Sequence, residues 1–79
     1  MNWEILEKTI LEMIQKQKEE VLKSAQRLIP HLTEDDILQP NDFPLLEKHP
    51  DFRYDEGVLA GMMTAQMALL ALNQDLKRL

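Results

Sequence analysis

The chain has 79 residues, 44% hydrophobic and 29% charged, with no cysteine and a formal net charge of −5. This length allows one folded domain at most, and the composition excludes a disordered chain, disulfides and thiolate metal sites. Residues 30–56 hold the acidity, with eight acids and two bases, whereas the flanking segments are close to neutral. Because nucleic-acid binders concentrate Lys and Arg, we expect no nucleic-acid partner.

The first predicted helix spans about residues 3–29, a segment without Gly or Pro. Asn2 is a favoured N-cap, and Pro30 ends the helix. Apolar side chains recur at steps of three or four, which is typical of a helix with one packed face. The members of this stripe are Trp3, Leu6, Ile10, Ile14, Gln17, Val21, Ala25 and Leu28. Gln17 either fixes register from a buried position or reaches water at the stripe's edge, and we expect the latter.

The connecting segment, residues 30–53, contains four prolines and cannot form a continuous helix. We expect two short helical turns in it. Thr33 is the predicted cap of the first turn, and Asn41 or Asp42 is the predicted cap of the second, over residues 43–48. Seven apolar side chains are predicted to pin the segment onto the long helices: Leu32, Ile37, Leu38, Phe43, Leu45, Leu46 and Phe52.

The second long helix is predicted over about residues 54–77. From Val58 to Leu72 it has only two polar members, Thr64 and Gln66, which predicts a helix buried on nearly every side. A membrane span is the rival interpretation, but this run has about 15 residues where about 20 are needed. We therefore expect no membrane span.

Gly57 and Gly61 lie four residues apart, and Ala65, Ala68 and Leu72 continue the same side of that helix. Each glycine in a helix interior lowers stability by up to about 1 kcal/mol. Two glycines in one helix therefore indicate a close packing contact that offsets this loss. The close contact is predicted either with a second chain or with the first helix of the same chain. A frayed first turn at Gly57 is the third possibility.

Three methionines follow these glycines, and their side chains suit either a core or an adaptable binding surface. We expect Met62, Met63 and Met67 to fill the core. Met62 and Met63 are also interface candidates, and Met63 is the one that we most expect on a second interface, because it lies opposite the glycines. The first helix adds three further interface candidates: Ile10, Ile14 and Val21.

Two acid pairs, Glu19-Glu20 and Asp55-Glu56, invite comparison with the all-helical nucleotide pyrophosphohydrolases, whose metal site needs carboxylates from neighbouring helices. Lys23 stands where a further carboxylate would be required, and Leu59 stands three residues after Glu56. The two candidate hydroxyl nucleophiles, Ser24 and Thr64, lie inside predicted helices without a nearby His in sequence, so we predict no catalytic residue, cofactor or metal. The histidines, His31 and His49, are interpreted as hydrogen-bonding or solvated side chains.

These patterns predict an all-α fold, a single helical domain over residues 1–79. The two long helices are expected to form a hairpin that assembles into an antiparallel four-helix bundle, as a homodimer or higher homo-oligomer. The predicted function is non-enzymatic protein–protein interaction in the cytoplasm. The general shape resembles short helical-hairpin proteins of bacteria, including small acidic secretion chaperones. One alternative is therefore an acidic adaptor or export chaperone that binds a client helix, and a metal-dependent nucleotide hydrolase is the other.

Overall fold

A computed structural model describes residues 2–78, and every regular element within that range is helical. The prediction of an all-α fold is confirmed. The α-helices are α1 (Trp3–Leu28), α2 (Pro44–Glu47) and α3 (Pro50–Lys77), and two 3₁₀ turns, Asp36–Leu38 and Pro40–Asp42, lie between α1 and α2.

Helix α1 begins and ends close to its predicted bounds, because both ends are set by local chemistry. The Asn2 side chain accepts a hydrogen bond from the Glu4 N–H at 2.8 Å, which confirms Asn2 as the N-cap. At the other end the Ile29 N–H still donates to the Ala25 carbonyl at 2.9 Å, although Ile29 itself is extended. Pro30 follows and stops the helix.

Helix α3 begins at Pro50, four residues before the predicted start. Proline in a first turn loses no helical hydrogen bond, and its fixed φ suits a helix start, so α3 can take in the residues that follow Pro50. His49 is the extended N-cap residue, and its carbonyl accepts from the Arg53 N–H at 3.0 Å. Lys77 in the last turn complements the helix dipole.

Helices α1 and α3 pack against each other and run in opposite directions. Trp3 near the start of α1 and Leu72 near the end of α3 line one shallow pocket. Phe52 near the start of α3 packs with Ala25 near the end of α1. The resulting shape is elongated, with principal extents of 49 × 19 × 19 Å.

The hydrophobic core lies at the end of this helix pair that the connecting segment covers. It is a cluster of five buried side chains: Val21, Ala25, Leu32, Leu46 and Phe52. Full burial of one large apolar side chain contributes about 1.5–3 kcal/mol, so Leu46 and Phe52, both fully buried, contribute most. Ile37 and Phe43 are partly buried against the cluster, which anchors the connecting segment as expected.

The prediction that seven apolar side chains pin the connecting segment onto the long helices is wrong for two of them. Leu38 is 73% exposed and Leu45 is 62% exposed, although their chain neighbours Ile37 and Leu46 pack inward. Successive residues of a helical turn point about 100–120° apart, and in each of these two pairs only one side chain faces the core. Composition alone cannot say which member of such a pair is buried.

Thr33 makes hydrogen bonds of the capping type at the start of the first turn, although the 3₁₀ turn Asp36–Leu38 has Asp35 as its N-cap residue. The predicted caps of the second turn are wrong. The Thr33 hydroxyl accepts from the Asp36 N–H at 3.3 Å, and the Asp36 carboxylate accepts from the Thr33 N–H at 3.0 Å. Helix α2, however, has Phe43 as its N-cap residue and no side-chain cap. Asn41 and Asp42 lie instead in the 3₁₀ turn Pro40–Asp42, an element that the sequence did not indicate.

Candidate interaction surface

One exposed side of α3 carries the small residues that the sequence singled out. Residues 57–72 contain no charged residue, so this exposed surface is uncharged for about 24 Å along the helix. Five of its residues share one side of α3 and are all exposed. We call this set the Gly face: Gly57, Gly61, Ala65, Ala68 and Leu72.

Open space lies beside both glycines of the Gly face. Apart from the adjacent backbone of α3, no atom of residues 2–78 lies within 4 Å of a Cβ placed at Gly57 or Gly61. The possibility of a close crossing with α1 is therefore wrong. A frayed turn at Gly57 is wrong as well, because α3 begins seven residues earlier. Of the three possibilities, a contact with a second chain is the one that remains.

Helix α3 is not buried on every side, contrary to the expectation from its composition. One side faces α1, with Leu59, Met62 and Gln66 half-buried. Met67 is 69% exposed and Met63 is also exposed, so the prediction that these two methionines fill the core is wrong. The physical reason is that a single partner helix covers only one side, and the connecting segment packs at one end.

The interface candidates on α1 lie elsewhere. Ile14 and Val21 are only 6% and 3% exposed, inside the contact that α1 makes within its own chain, and Ile10 is half-buried. Ile14 and Val21 cannot offer surface to a second chain while this fold is kept, whereas part of Ile10 stays exposed. Sequence periodicity could not make this distinction, because a stripe on one helix does not reveal which helix covers it.

Three polar side chains join α1 to α3 near the core, and the sequence did not link them. Gln17 is half-buried at the edge of the stripe, and it donates through Nε2 to the Asp55 carbonyl at 2.9 Å. The buried hydroxyl of Ser24 donates to the Asp55 carboxylate at 2.8 Å. Hydrogen bonds to ionised groups contribute about 1.5–3 kcal/mol, so this contact helps to fix the register of the two helices.

A second surface feature is a groove on the other side of α3. It encloses about 300 Å³ between α1, the first 3₁₀ turn and α3. We call it the Leu38 groove, and its lining is Lys18, Glu34, Asp35, Ile37, Leu38, Leu59 and Met63. Met63 follows Gly61 by two residues, or about 200° around the helix, so the groove and the Gly face lie on opposite sides of α3.

The carboxylates of the hydrolase comparison are not assembled into a site. Asp55 is engaged by Ser24 at 2.8 Å, and Glu56 pairs with Arg53 at 2.7 Å. Glu20 has Lys23 as its nearest cation at 3.8 Å. Within residues 2–78 there is no group of three or more His, Cys, Asp or Glu side chains that could hold a metal ion.

The two histidines differ in their surroundings. His31 is exposed, in agreement with a solvated side chain. His49 is half-buried at the start of α3, and its Nδ1 is buried without a hydrogen-bond partner in the described part of the chain. Nδ1 of His49 therefore makes no such hydrogen bond, whereas the side chain as a whole is only half-buried.

The structure also bears on the membrane span that was the rival interpretation of the apolar run in α3. Between Asn2 and Arg78, no helix combines the length and the hydrophobicity that a bilayer crossing requires. The chain matches no protein-family model, and no curated protein or solved structure shows significant similarity to it.

Proposed function

We propose that this chain is a non-enzymatic interaction protein whose working unit is a homodimer. Two copies, each a hairpin of α1 and α3, would pack through their Gly faces into an antiparallel four-helix bundle. The observation that carries the proposal is the open space beside Gly57 and Gly61 on an exposed and uncharged surface.

The solvent-accessible surface area of the single chain supports a contact with a second copy. Its accessible surface is 6040 Å², whereas a compact monomer of this mass exposes about 5,000 Å². Its radius of gyration is 15.5 Å, compared with about 12 Å for a compact domain of this length. A stable interface removes about 800 Å² from each partner, so the surplus of about 1,000 Å² is the area that one dimer contact would cover.

The chemistry of the Gly face suits a second helix. Four of its five residues are Gly or Ala, which let two helix backbones approach closely. No charge within residues 57–72 would have to leave water when the contact forms. Monomeric soluble proteins rarely expose continuous apolar patches larger than a few hundred Å². A second copy that covers this face would prevent non-specific aggregation through it.

Charge supports an antiparallel orientation of the two copies. Residues 30–56 carry net −6 and residues 57–79 carry net +1, with Lys77 and Arg78 at the far end of α3. An antiparallel pair places the acidic end of each copy beside the basic end of the other. A parallel pair would bring two segments of net −6 together, within the roughly 8 Å over which charges interact at physiological salt.

Sedimentation velocity over a wide range of protein concentrations tests the proposal. The critical variant is Ala65→Glu, which places one carboxylate in the centre of the Gly face. Its matched control is Ala60→Glu, the same change at another exposed position of α3, about 140° around the helix.

We expect the unchanged protein to sediment as a dimer and its melting midpoint to rise with concentration, since binding of a second copy stabilises the folded chain by mass action. Ala65→Glu should yield monomers that remain helical, and Ala60→Glu should leave the dimer intact. A protein that stays monomeric at about 100 μM, where a Kd in the micromolar range would already produce dimers, contradicts the proposal.

A further inference from the structure

The Leu38 groove is open because the first 3₁₀ turn holds one leucine outward. The two hydrogen bonds between Thr33 and Asp36 fix the start of this turn, at 3.0 and 3.3 Å. Ile37 packs against the core, so the next residue, Leu38, points away from it and is 73% exposed. The turn therefore presents a large apolar side chain at the rim of the groove.

The apolar surface of the groove continues along α3. Met63 lines the groove, and Met67 and Leu70 follow it at steps of four and three residues, all exposed. These side chains form a stripe about 10 Å long on one side of the helix. Methionine adapts its shape to irregular partners, and such stripes are used by surfaces that bind amphipathic helices.

The rim of the groove at the turn is acidic. Glu34 and Asp35 are both exposed and line the groove, and neither takes part in an ion pair within residues 2–78. The neighbouring Asp36 carboxylate is already engaged by the Thr33 N–H. Two carboxylates therefore lie at the turn with exposed Leu38, in a segment of net −6, and Lys18 of α1 is the one base among the described residues that line the groove.

We propose that the Leu38 groove binds a basic amphipathic helix of another protein. The apolar side of that helix would cover Leu38, Met63 and Met67, and its Lys or Arg side chains would lie over Glu34 and Asp35. Charge complementarity selects this occupant, since an acidic or neutral segment would leave both carboxylates without a partner. The groove lies opposite the Gly face, so this binding does not depend on dimer formation and would not compete with it.

The experiment uses a defined probe. A fluorescein-labelled model helix of Leu and Lys, with Leu at heptad spacing, is titrated with the full-length protein, and anisotropy reports binding. Two comparison peptides carry the same Leu positions with Glu in place of Lys, or the same composition in scrambled order. We expect the basic amphipathic peptide to bind at least tenfold more tightly than either. Its advantage over the Glu peptide should shrink as salt screens the carboxylates, whereas its advantage over the scrambled peptide should persist.

Matched variants separate the groove from general attraction to an acidic protein. Leu38→Ser should weaken binding by about tenfold, the ratio that burial of one leucine typically provides. Leu45→Ser removes a leucine of similar exposure outside the groove and should leave the affinity unchanged. Charge reversal of Glu34 and Asp35 to Lys should weaken binding strongly. The same reversal at two exposed acids outside the groove, Asp42 and Glu47, should have a smaller effect.

Three results would overturn the inference. One is equal affinity for the scrambled peptide, and another is an equal effect of Leu38→Ser and Leu45→Ser. The third is loss of peptide binding in Ala65→Glu, which would place the peptide on the Gly face. If Ala65→Glu is monomeric and still binds the peptide, both proposals stand. If the unchanged protein is monomeric and binds the peptide through Leu38, the dimer alone fails.

Discussion

Replacing Gly61 by alanine is expected to change stability in opposite directions for the single chain and for the dimer. In the single chain the new methyl group meets no described atom within 4 Å outside the neighbouring backbone. Only the intrinsic preference of the helix then changes, and alanine exceeds glycine by about 1 kcal/mol. For a domain of this size that gain corresponds to a rise of about 4–8 °C in melting midpoint.

In the proposed dimer the same methyl group lies between two helices. Overpacking of a close contact costs about 1–3 kcal/mol, and a two-fold axis introduces the change twice. Gly61→Ala should therefore stabilise the dilute monomer against urea and weaken the dimer by tenfold or more in sedimentation equilibrium. Thr64→Ala is the control, because it raises helix preference by about 0.5 kcal/mol without adding an atom. If Gly61→Ala stabilises the chain and leaves dimer affinity unchanged, the helices do not cross closely at Gly61.

Three further predictions concern the single chain, each measured by urea denaturation with circular dichroism. Phe52→Ala should lower the free energy of unfolding by about 3–5 kcal/mol because the ring is fully buried. Phe43 is half-buried, so Phe43→Ala should lower it by less than half as much. Equal losses would contradict the core described above. Ser24→Ala should cost about 1–3 kcal/mol because the Asp55 carboxylate loses its partner, and Ser24→Thr should recover part of the loss. Asn2→Ala should cost about 1 kcal/mol through the lost cap, whereas Asn2→Asp should be nearly neutral.

Much of the local structure could be predicted because it depends on residues that are close in sequence. The Asn2 cap and the stop before Pro30 concern one helix end each, and the Thr33 cap involves a residue only three positions away. The side that α3 turns towards α1 could not be predicted. Its residues between Val58 and Leu72 are apolar in nearly every direction, so the periodicity does not indicate which side of the helix packs against α1.

Contacts between residues that are far apart in sequence could not be predicted either. Ser24 and Asp55 lie 31 positions apart, and Gln17 and Asp55 lie 38 apart, so no spacing rule joins them. The Leu38 groove was not predicted either, because it depends on which of two adjacent side chains in a tight turn packs inward. The one available signal was the position of Met63 opposite the glycines, which pointed to a second surface on α3.

The exposure of the methionines has a consequence for the chemistry of the surface under oxidising conditions. The chain contains five methionines and no cysteine, so thioether oxidation is its main sulfur chemistry. Met67 is largely exposed, Met63 is exposed, and Met62 is half-buried towards α1. Conversion to the sulfoxide makes a thioether polar, and it should occur first at the exposed thioethers of Met13 on α1 and of Met63 and Met67 in the stripe beside Leu38. Oxidant would therefore make that surface hydrophilic before it reached the side chains that hold α1 against α3, and a methionine sulfoxide reductase would restore it.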